Sequence, residues 1–175
     1  MSLPGWHEEP IAKAHRRQEF DCGDPEMDRF LHRYARQSHE QHAAKTFCAI
    51  EDADPGRILG FYTITPTAVV HEDVPTPLTR GLARHEVAGF KLARIATDRS
   101  VAGQGLGGQL LAAAALRCLR AATEVGGVLL VIDAKGERAA RWYERYGAVP
   151  LLNQPLTLVM PLASFAGEFR KRGLL

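Results

Sequence analysis

The chain has 175 residues, 46% of them apolar, and a net charge of +2. That length fits one domain able to bury about 70% of its unfolded surface, and the small net charge argues against a globally polybasic nucleic-acid binder. The three cysteines, Cys22, Cys48 and Cys118, are too far apart for C-x-x-C zinc pairing and fit a reduced, cytoplasmic setting; no apolar run approaches a membrane span, and the opening MSLPGWHEEP has no apolar signal core.

In chain order, a short first strand is expected over residues 9–14, then a turn at Phe20-Asp21-Cys22-Gly23. Asp24 reads as an N-cap with Pro25 at the first helical position. Met27, Phe30, Leu31, Tyr34 and Ala35 repeat at helical spacing, which predicts a helix to about Ser38 and a further helical piece to Ala44. His39 and His42 stand three apart, but no carboxylate or cysteine joins them at familiar ligand spacing, so no metal is predicted. Strands are predicted over 46–51 and 58–65, joined as a hairpin by the turn Asp52-Ala53-Asp54-Pro55-Gly56. Residues 66–88, with Pro66, Pro75 and Pro77, read as a long loop with a short helix around 78–84; loops of that length are usually functional. A strand over 90–97 leads into a glycine-rich segment.

A long helix is predicted over 107–125, with Leu110, Leu111, Ala114, Ala115, Cys118, Leu119 and Ala122 on its apolar face and Gly126-Gly127 ending it. The continuous apolar run 128–132 reads as a buried central strand. A short helix from Lys135-Gly136 through Tyr146 follows, with Gly147 just past its end, and strands over 148–152 and 156–160 complete the sheet. This alternation predicts a mixed α/β sheet with helices on both faces, in a single domain of residues 1–175.

The segment Asp98-Arg99-Ser100-Val101-Ala102-Gly103-Gln104-Gly105-Leu106-Gly107-Gly108 carries the chemistry. A strand, a glycine loop and a helix in that order point bare backbone N–H groups at a phosphate, and the helix N-terminus adds partial positive charge. A Walker loop is excluded because no lysine follows the glycines. Gly103, Gly105 and Gly108 satisfy the dinucleotide pattern G-x-G-x-x-G, with Asp133 ending the next strand. Against that reading, residues 98–102 separate the strand from the first glycine, and two strands precede the loop.

The third reading is a resemblance. Ala102-Gly103-Gln104-Gly105-Leu106-Gly107 resembles the Arg/Gln-x-x-Gly-x-Gly/Ala pyrophosphate loop of the GCN5-related N-acetyltransferases, with Ala102 in place of the first Arg or Gln. Ala139-Ala140-Arg141-Trp142-Tyr143-Glu144-Arg145-Tyr146-Gly147-Ala148 resembles their A-x-x-F/W-Y-x-x-x-G-F/A segment. Phe20-Asp21-Cys22-Gly23 followed by Met27-Asp28-x-Phe30-Leu31, with Gly60-Phe61-Tyr62-Thr63, Leu92-Ala93-Arg94-Ile95-Ala96-Thr97-Asp98 and Leu156-Thr157-Leu158, is similar to the toxins of the TacT type. The resemblance spans nearly the whole chain and makes residues 89–151 the acetyl-CoA half.

The resemblance implies an acetyl-CoA-dependent N-acetyltransferase toxin of the GNAT fold, an α/β fold whose mixed, twisted sheet is mostly antiparallel. Its substrate would be the α-amino group of aminoacyl-tRNA, its neutralising partner a ribbon-helix-helix antitoxin, and its assembly a homodimer. It implies Tyr143 as general acid toward the leaving thiolate, where a plain reading makes Tyr143 a core aromatic and Tyr146 the exposed one. Acetyl-CoA would be held by Ile95, Ala96, Thr97, Ala102, Gly103, Gln104, Gly105, Leu106, Gly107, Gly108, Asp133 and Ala134, with backbone N–H groups at Ile95 or Thr97 toward the pantetheine or thioester oxygen. Arg33, Arg36, Lys45, Arg84, Lys91 and Arg94 are the basic candidates for tRNA phosphates. Arg94, within a strand, has the alternative of a structural carboxylate partner. Other acceptors, a small amine or a protein, and a CoA-binding module without catalysis stay open at this point.

Overall fold

The computed structural model describes residues 2–82 and 84–175. The strands are β1 (Trp6–Pro10), β2 (Lys45–Glu51), β3 (Ile58–Val70), β4 (Glu86–Thr97), β5 (Leu129–Asp133), β6 (Val149–Leu151) and β7 (Gln154–Pro161). Hydrogen bonding orders them β1-β2-β3-β4-β5-β7-β6 in an open, mostly antiparallel sheet; the β4–β5 pair is parallel. The helices are α1 (Pro25–Arg29), α2 (Ala35–Glu40), α3 (Thr76–Thr79), α4 (Leu106–Val125), α5 (Glu137–Glu144) and α6 (Ala163–Lys171), and a π-helical turn, Phe30–Tyr34, joins α1 to α2. This is a mixed α/β fold built on one seven-stranded sheet. The chain forms two compact units, residues 2–65 with 93–114 and residues 66–92 with 115–175.

In the first unit the predicted helix start is observed: Asp24 Oδ1 accepts from the N–H groups of Glu26 and Met27, and Pro25 opens the helix. The helical stretch buries Met27, Leu31 and Ala35 against Phe20, Cys48, Ile50, Ile58 and Phe61. Phe20 meets Phe61 edge-on at 5.4 Å, a contact that adds to the burial of both rings. The first strand lies earlier than its local pattern suggests. Residues 6–10 pair antiparallel with β2, from Trp6↔Glu51 to Pro10↔Phe47, and the chain turns at 12–15 with the His15 N–H on the Ala12 carbonyl. Partner strand, not local pattern, selects that register.

In the second unit β3 continues through Pro66 to Val70, and β4 begins at Glu86. The expected long loop is therefore shortened to 71–85, tied at its ends by the His71 N–H on the His85 carbonyl. Within it the short helix lies at Thr76–Thr79 rather than around 78–84; position 83 falls outside the described residues. β4 pairs with β5 from Gly89↔Leu129 to Leu92↔Ile132. Gly89 is required there, because a Cβ would collide with the Leu129 carbonyl oxygen. Val74, Val87, Leu129, Val131, Leu151 and Val159 form one buried cluster of this unit. α6 extends the fold beyond the predicted last strand, burying Ala166 and Phe169.

Candidate functional site

In the first unit, Asp98 organises the turn between β4 and the glycine loop. Its Oδ1 accepts from Ser100 N–H at 3.0 Å and Ser100 Oγ at 2.6 Å, and its Oδ2 accepts from Asp21 N–H at 3.0 Å. Burial pushes this carboxyl up, but the hydrogen bonds from Ser100 and Asp21 outweigh it, and its pKa lies below the ordinary value. After the 3-10 turn Arg99–Val101 the backbone takes left-handed conformations at Gly103 (φ 74°) and Gly105 (φ 89°), which glycine adopts at little cost.

A Cβ at either glycine would meet nothing within 4 Å, so both face open space. The first-turn amides of Leu106, Gly107 and Gly108 have no acceptor within a helix, and buried Leu106, Leu110 and Leu111 anchor α4 behind them. The Gln104 side-chain oxygen is buried without a partner. These features fit CoA. Its pyrophosphate accepts from free amides at a helix start, and its amide and amine donors can satisfy the orphaned Gln104 oxygen.

Around the loop, Ile95, Ala96 and Thr97 are half-buried at the end of β4, and Ala102 is exposed. The Asp98 N–H donates to the Leu59 carbonyl, and the absence of a side chain at Gly60 admits the Ala96 carbonyl and the Leu106 and Leu110 side chains. Trp6 Nε1 donates to Gln109 Oε1 at 2.9 Å, tying β1 to the first turn of α4. Sequence spacing carries no sign of that bond.

The basic candidates of this unit separate. Arg33 is exposed. Arg36 pairs with Glu40 at 2.6 Å, and Lys45 Nζ donates to the His39 carbonyl at 3.0 Å. The Arg94 guanidinium lies 4.2 Å over the Phe30 ring, so its neighbour is an aromatic face rather than a carboxylate. His39 is structural: its Nδ1 accepts from Thr46 N–H at 3.0 Å, and burial, then the nearby Lys45, lowers its pKa. No group of three His, Cys, Asp or Glu among the described residues could hold a metal.

In the second unit, Tyr143 is 7% exposed on the inner face of α5, beside Ala140, while Tyr146 is 47% exposed. Burial pushes the Tyr143 hydroxyl up to about 12. The helix stops where Gly147 takes φ 99° and the Ala148 N–H returns to the Tyr143 carbonyl. The ring of Trp142 stands edge-on to that of Tyr143 at 5.0 Å.

Lys91 and Asp133, expected to serve different ligands, form an ion pair at 2.5 Å, and Thr157 donates to the same carboxylate. Both line a 280 Å³ cavity with Asp73, Gln154 and Thr157. In the dinucleotide reading Asp133 would accept from a ribose; here it is already engaged. The Ala134 N–H donates to the Leu156 carbonyl, and Arg84 is exposed.

Comparison with known proteins agrees with this geometry. Residues 42–147 match the acetyltransferase (GNAT) domain family. The chain is 31% identical over 141 residues to a tRNA-acetylating toxin of Mycobacterium tuberculosis, covering 81% of this chain and 82% of the relative. It is 27% identical to a probable toxin TacT of Sinorhizobium fredii, covering 89% and 91%. Among solved structures it is similar to a tyrosine-to-phenylalanine mutant of the AtaT toxin bound to the C-terminus of the antitoxin AtaR and acetyl-CoA. That match has a TM-score of 0.80 and 25% identity, and covers 94% of this chain and 98% of that one.

Proposed function

The chain belongs to the GNAT acetyltransferase family, and from that premise we propose that it is a toxin that transfers acetyl from acetyl-CoA to the α-amino group of aminoacyl-tRNA and so blocks translation. It acts in the cytoplasm, as a homodimer, and is held in check by a ribbon-helix-helix antitoxin. Residues 1–175 act as a single acetyltransferase domain in which 89–151 supply the acetyl-CoA half. The observation that carries the cosubstrate is the open, left-handed glycine loop at the start of α4. The substrate rests on the likeness to the tRNA-acetylating toxin.

Bound acetyl-CoA supplies an acyl group activated as a thioester. The amides of residues 103 and 105–108 hold the pyrophosphate, while the Gln104 N–H stays on the Val101 carbonyl and the Gln104 side-chain oxygen accepts from a cosubstrate N–H. Backbone N–H groups at Ile95 or Thr97 offer donors to the thioester oxygen or the pantetheine. Tyr143 carries the acid role. Its hydroxyl, pushed up to about 12 by burial, keeps its proton at neutral pH and can give it to a leaving thiolate. An α-amino group has a pKa of about 7.7–8.0, and the adjacent ester lowers it further, so the nucleophile is largely neutral near pH 7–8 without a strong base. Arg33 and Arg84, both exposed, are the first candidates for tRNA phosphates, with Arg36, Lys45, Lys91 and Arg94 behind them because each is already engaged.

The test is to incubate the purified chain, and Tyr143→Phe, with acetyl-CoA and a pool of charged tRNA, and to read N-acetylated aminoacyl ends by mass spectrometry. Product with the native chain and far less with the variant is expected. Acetyl-CoA binding without product on any charged tRNA would send the substrate assignment to a small amine or a protein.

A further inference from the structure

We propose that the outer face of α5 docks the single-stranded 3′ end of the RNA acceptor, with Trp142 stacking on a base and Arg138, Arg141 and Arg145 taking the phosphates. This rests on aminoacyl-tRNA being the substrate. α5 is two-sided. Ala140 and Tyr143 are its buried residues, while Arg138, Arg141 and Arg145 are exposed. Residues 138, 141, 142 and 145 follow one another at helical spacing and share one side. A groove of 520 Å³ is lined by those three arginines, Trp142 and Glu144.

Three guanidinium groups against Glu144 in the lining and Glu137 beside Arg141 leave the groove net positive. The Arg141–Glu137 contact, 3.4 Å with side chains 76% and 83% exposed, is too solvated to withdraw Arg141 from a ligand. Trp142 is held between two rings, 5.0 Å from Tyr143 and 4.9 Å from Tyr146. Its orientation is therefore set before any ligand arrives, which lowers the ordering cost of stacking.

An aromatic ring among arginines matches single-stranded nucleic acid, whose bases stack and whose backbone is anionic. An acidic peptide would satisfy the arginines and stack nothing on the part of the half-buried indole that the two tyrosines leave uncovered. Position favours the same occupant. The reacting amine is esterified to the terminal nucleotide, and Tyr143, the proposed acid, is the next residue after Trp142 with their rings in contact. A 3′ end presenting its amine to Tyr143 brings its last nucleotides to this helix.

The chain has two tryptophans, so in a Trp6→Phe background Trp142 reports alone. Titration with the tetranucleotide ACCA is expected to quench its emission, with affinity falling as salt rises. Arg138→Glu with Arg145→Glu should weaken that binding at least tenfold and make the slope of log affinity against log salt shallower by about 0.7 for each phosphate no longer neutralised. The same double variant, checked for fold by acetyl-CoA binding, should raise KM for charged tRNA about tenfold or more.

An unchanged KM in the folded variant overturns this surface and leaves the substrate assignment standing. So does quenching by an acidic peptide but not by ACCA. Failure of the native chain to acetylate any charged tRNA overturns the substrate assignment and this surface with it.

Discussion

Asp133 holds Lys91: the ammonium nitrogen lies 2.5 Å from Oδ2, and Thr157 donates to Oδ1 at 3.0 Å. The lysine charge is thereby cancelled within the unit that carries it. With side chains 37% and 48% exposed, the pair contributes no more than about 1 kcal/mol. Lys91→Ala is expected to leave the salt dependence of tRNA binding unchanged. Filter binding at three salt concentrations checks this, and a shallower slope would return Lys91 to the phosphate contacts.

Tyr143→Phe keeps the buried ring and removes only the hydroxyl. We expect folding stability within about 1 kcal/mol of native, unchanged acetyl-CoA affinity and a kcat lower by about 10²–10⁴. Burial raises the folded pKa from 10.0 to about 12. Ionising the buried hydroxyl is therefore what costs stability: nothing is lost below pH 10, and the loss grows as pH rises toward 12. It amounts to roughly 2–3 kcal/mol. Alkaline unfolding should be correspondingly shallower in the phenylalanine variant; coincident curves would show that the ring, not the hydroxyl, sets the alkaline limit.

Gly105→Ala separates space from backbone conformation. Nothing crowds a Cβ there, but φ is 89°, so the substitution should cost about 1 kcal/mol of stability through strain. A loop that moves to relieve that strain misdirects its amides, and acetyl-CoA affinity should fall at least tenfold by calorimetry. Native affinity in this variant would argue against the loop as the pyrophosphate site.

Arg94 lies over Phe30, 4.2 Å from the ring centroid. A double-mutant cycle with Arg94→Met and Phe30→Leu should give a coupling of about 0.5–1 kcal/mol in chemical denaturation. Zero coupling would leave Arg94 available for a ligand.

His7 is clasped between carboxylates: Nδ1 is 2.7 Å from Asp52 and Nε2 is 2.6 Å from Glu9. The hydrogen bonds to Asp52, then Glu9, raise the His7 pKa above 6.5. Those from His7 and His15 lower that of Glu9 below 4.5. The His7 contribution is complete below pH 6.5 and fades as pH rises through the raised value; the Glu9 contribution is complete above pH 4.5 and fades as pH falls. Amide exchange in β1 should therefore be slowest, after correction for its intrinsic pH dependence, between those limits. His7→Gln should remove the loss of protection on the alkaline side.

Local signals are readable where short-range chemistry decides the outcome. Asp24-Pro25 starts its helix because a carboxylate and a missing N–H suit a helix end wherever it lies. The turn 52–56 closes its hairpin for similar reasons: the Arg57 N–H returns to the Asp54 carbonyl. Leu162, Phe165, Ala166 and Phe169 carry a helical period, so the pattern does announce α6, although the predicted elements stop at the last strand. The extensions of β3 and β4 have no such signal. Pro66 argues for a loop, and only pairing and packing in the second unit make 66–70 a strand.

What the sequence determined by itself is the order of elements as far as the last strand, the glycine loop at the head of the long helix and the motifs that carry the family resemblance. These depend on residues within a turn or two of one another. The tertiary structure decided which charges are spent. Lys91 on Asp133, Arg94 on Phe30, Lys45 on the His39 carbonyl and Trp6 on Gln109 join residues whose approach depends on strand register and helix packing. Whether a lysine or arginine remains free for a phosphate depends on what the fold brings within about 4 Å of it, and linear spacing carries no such distance.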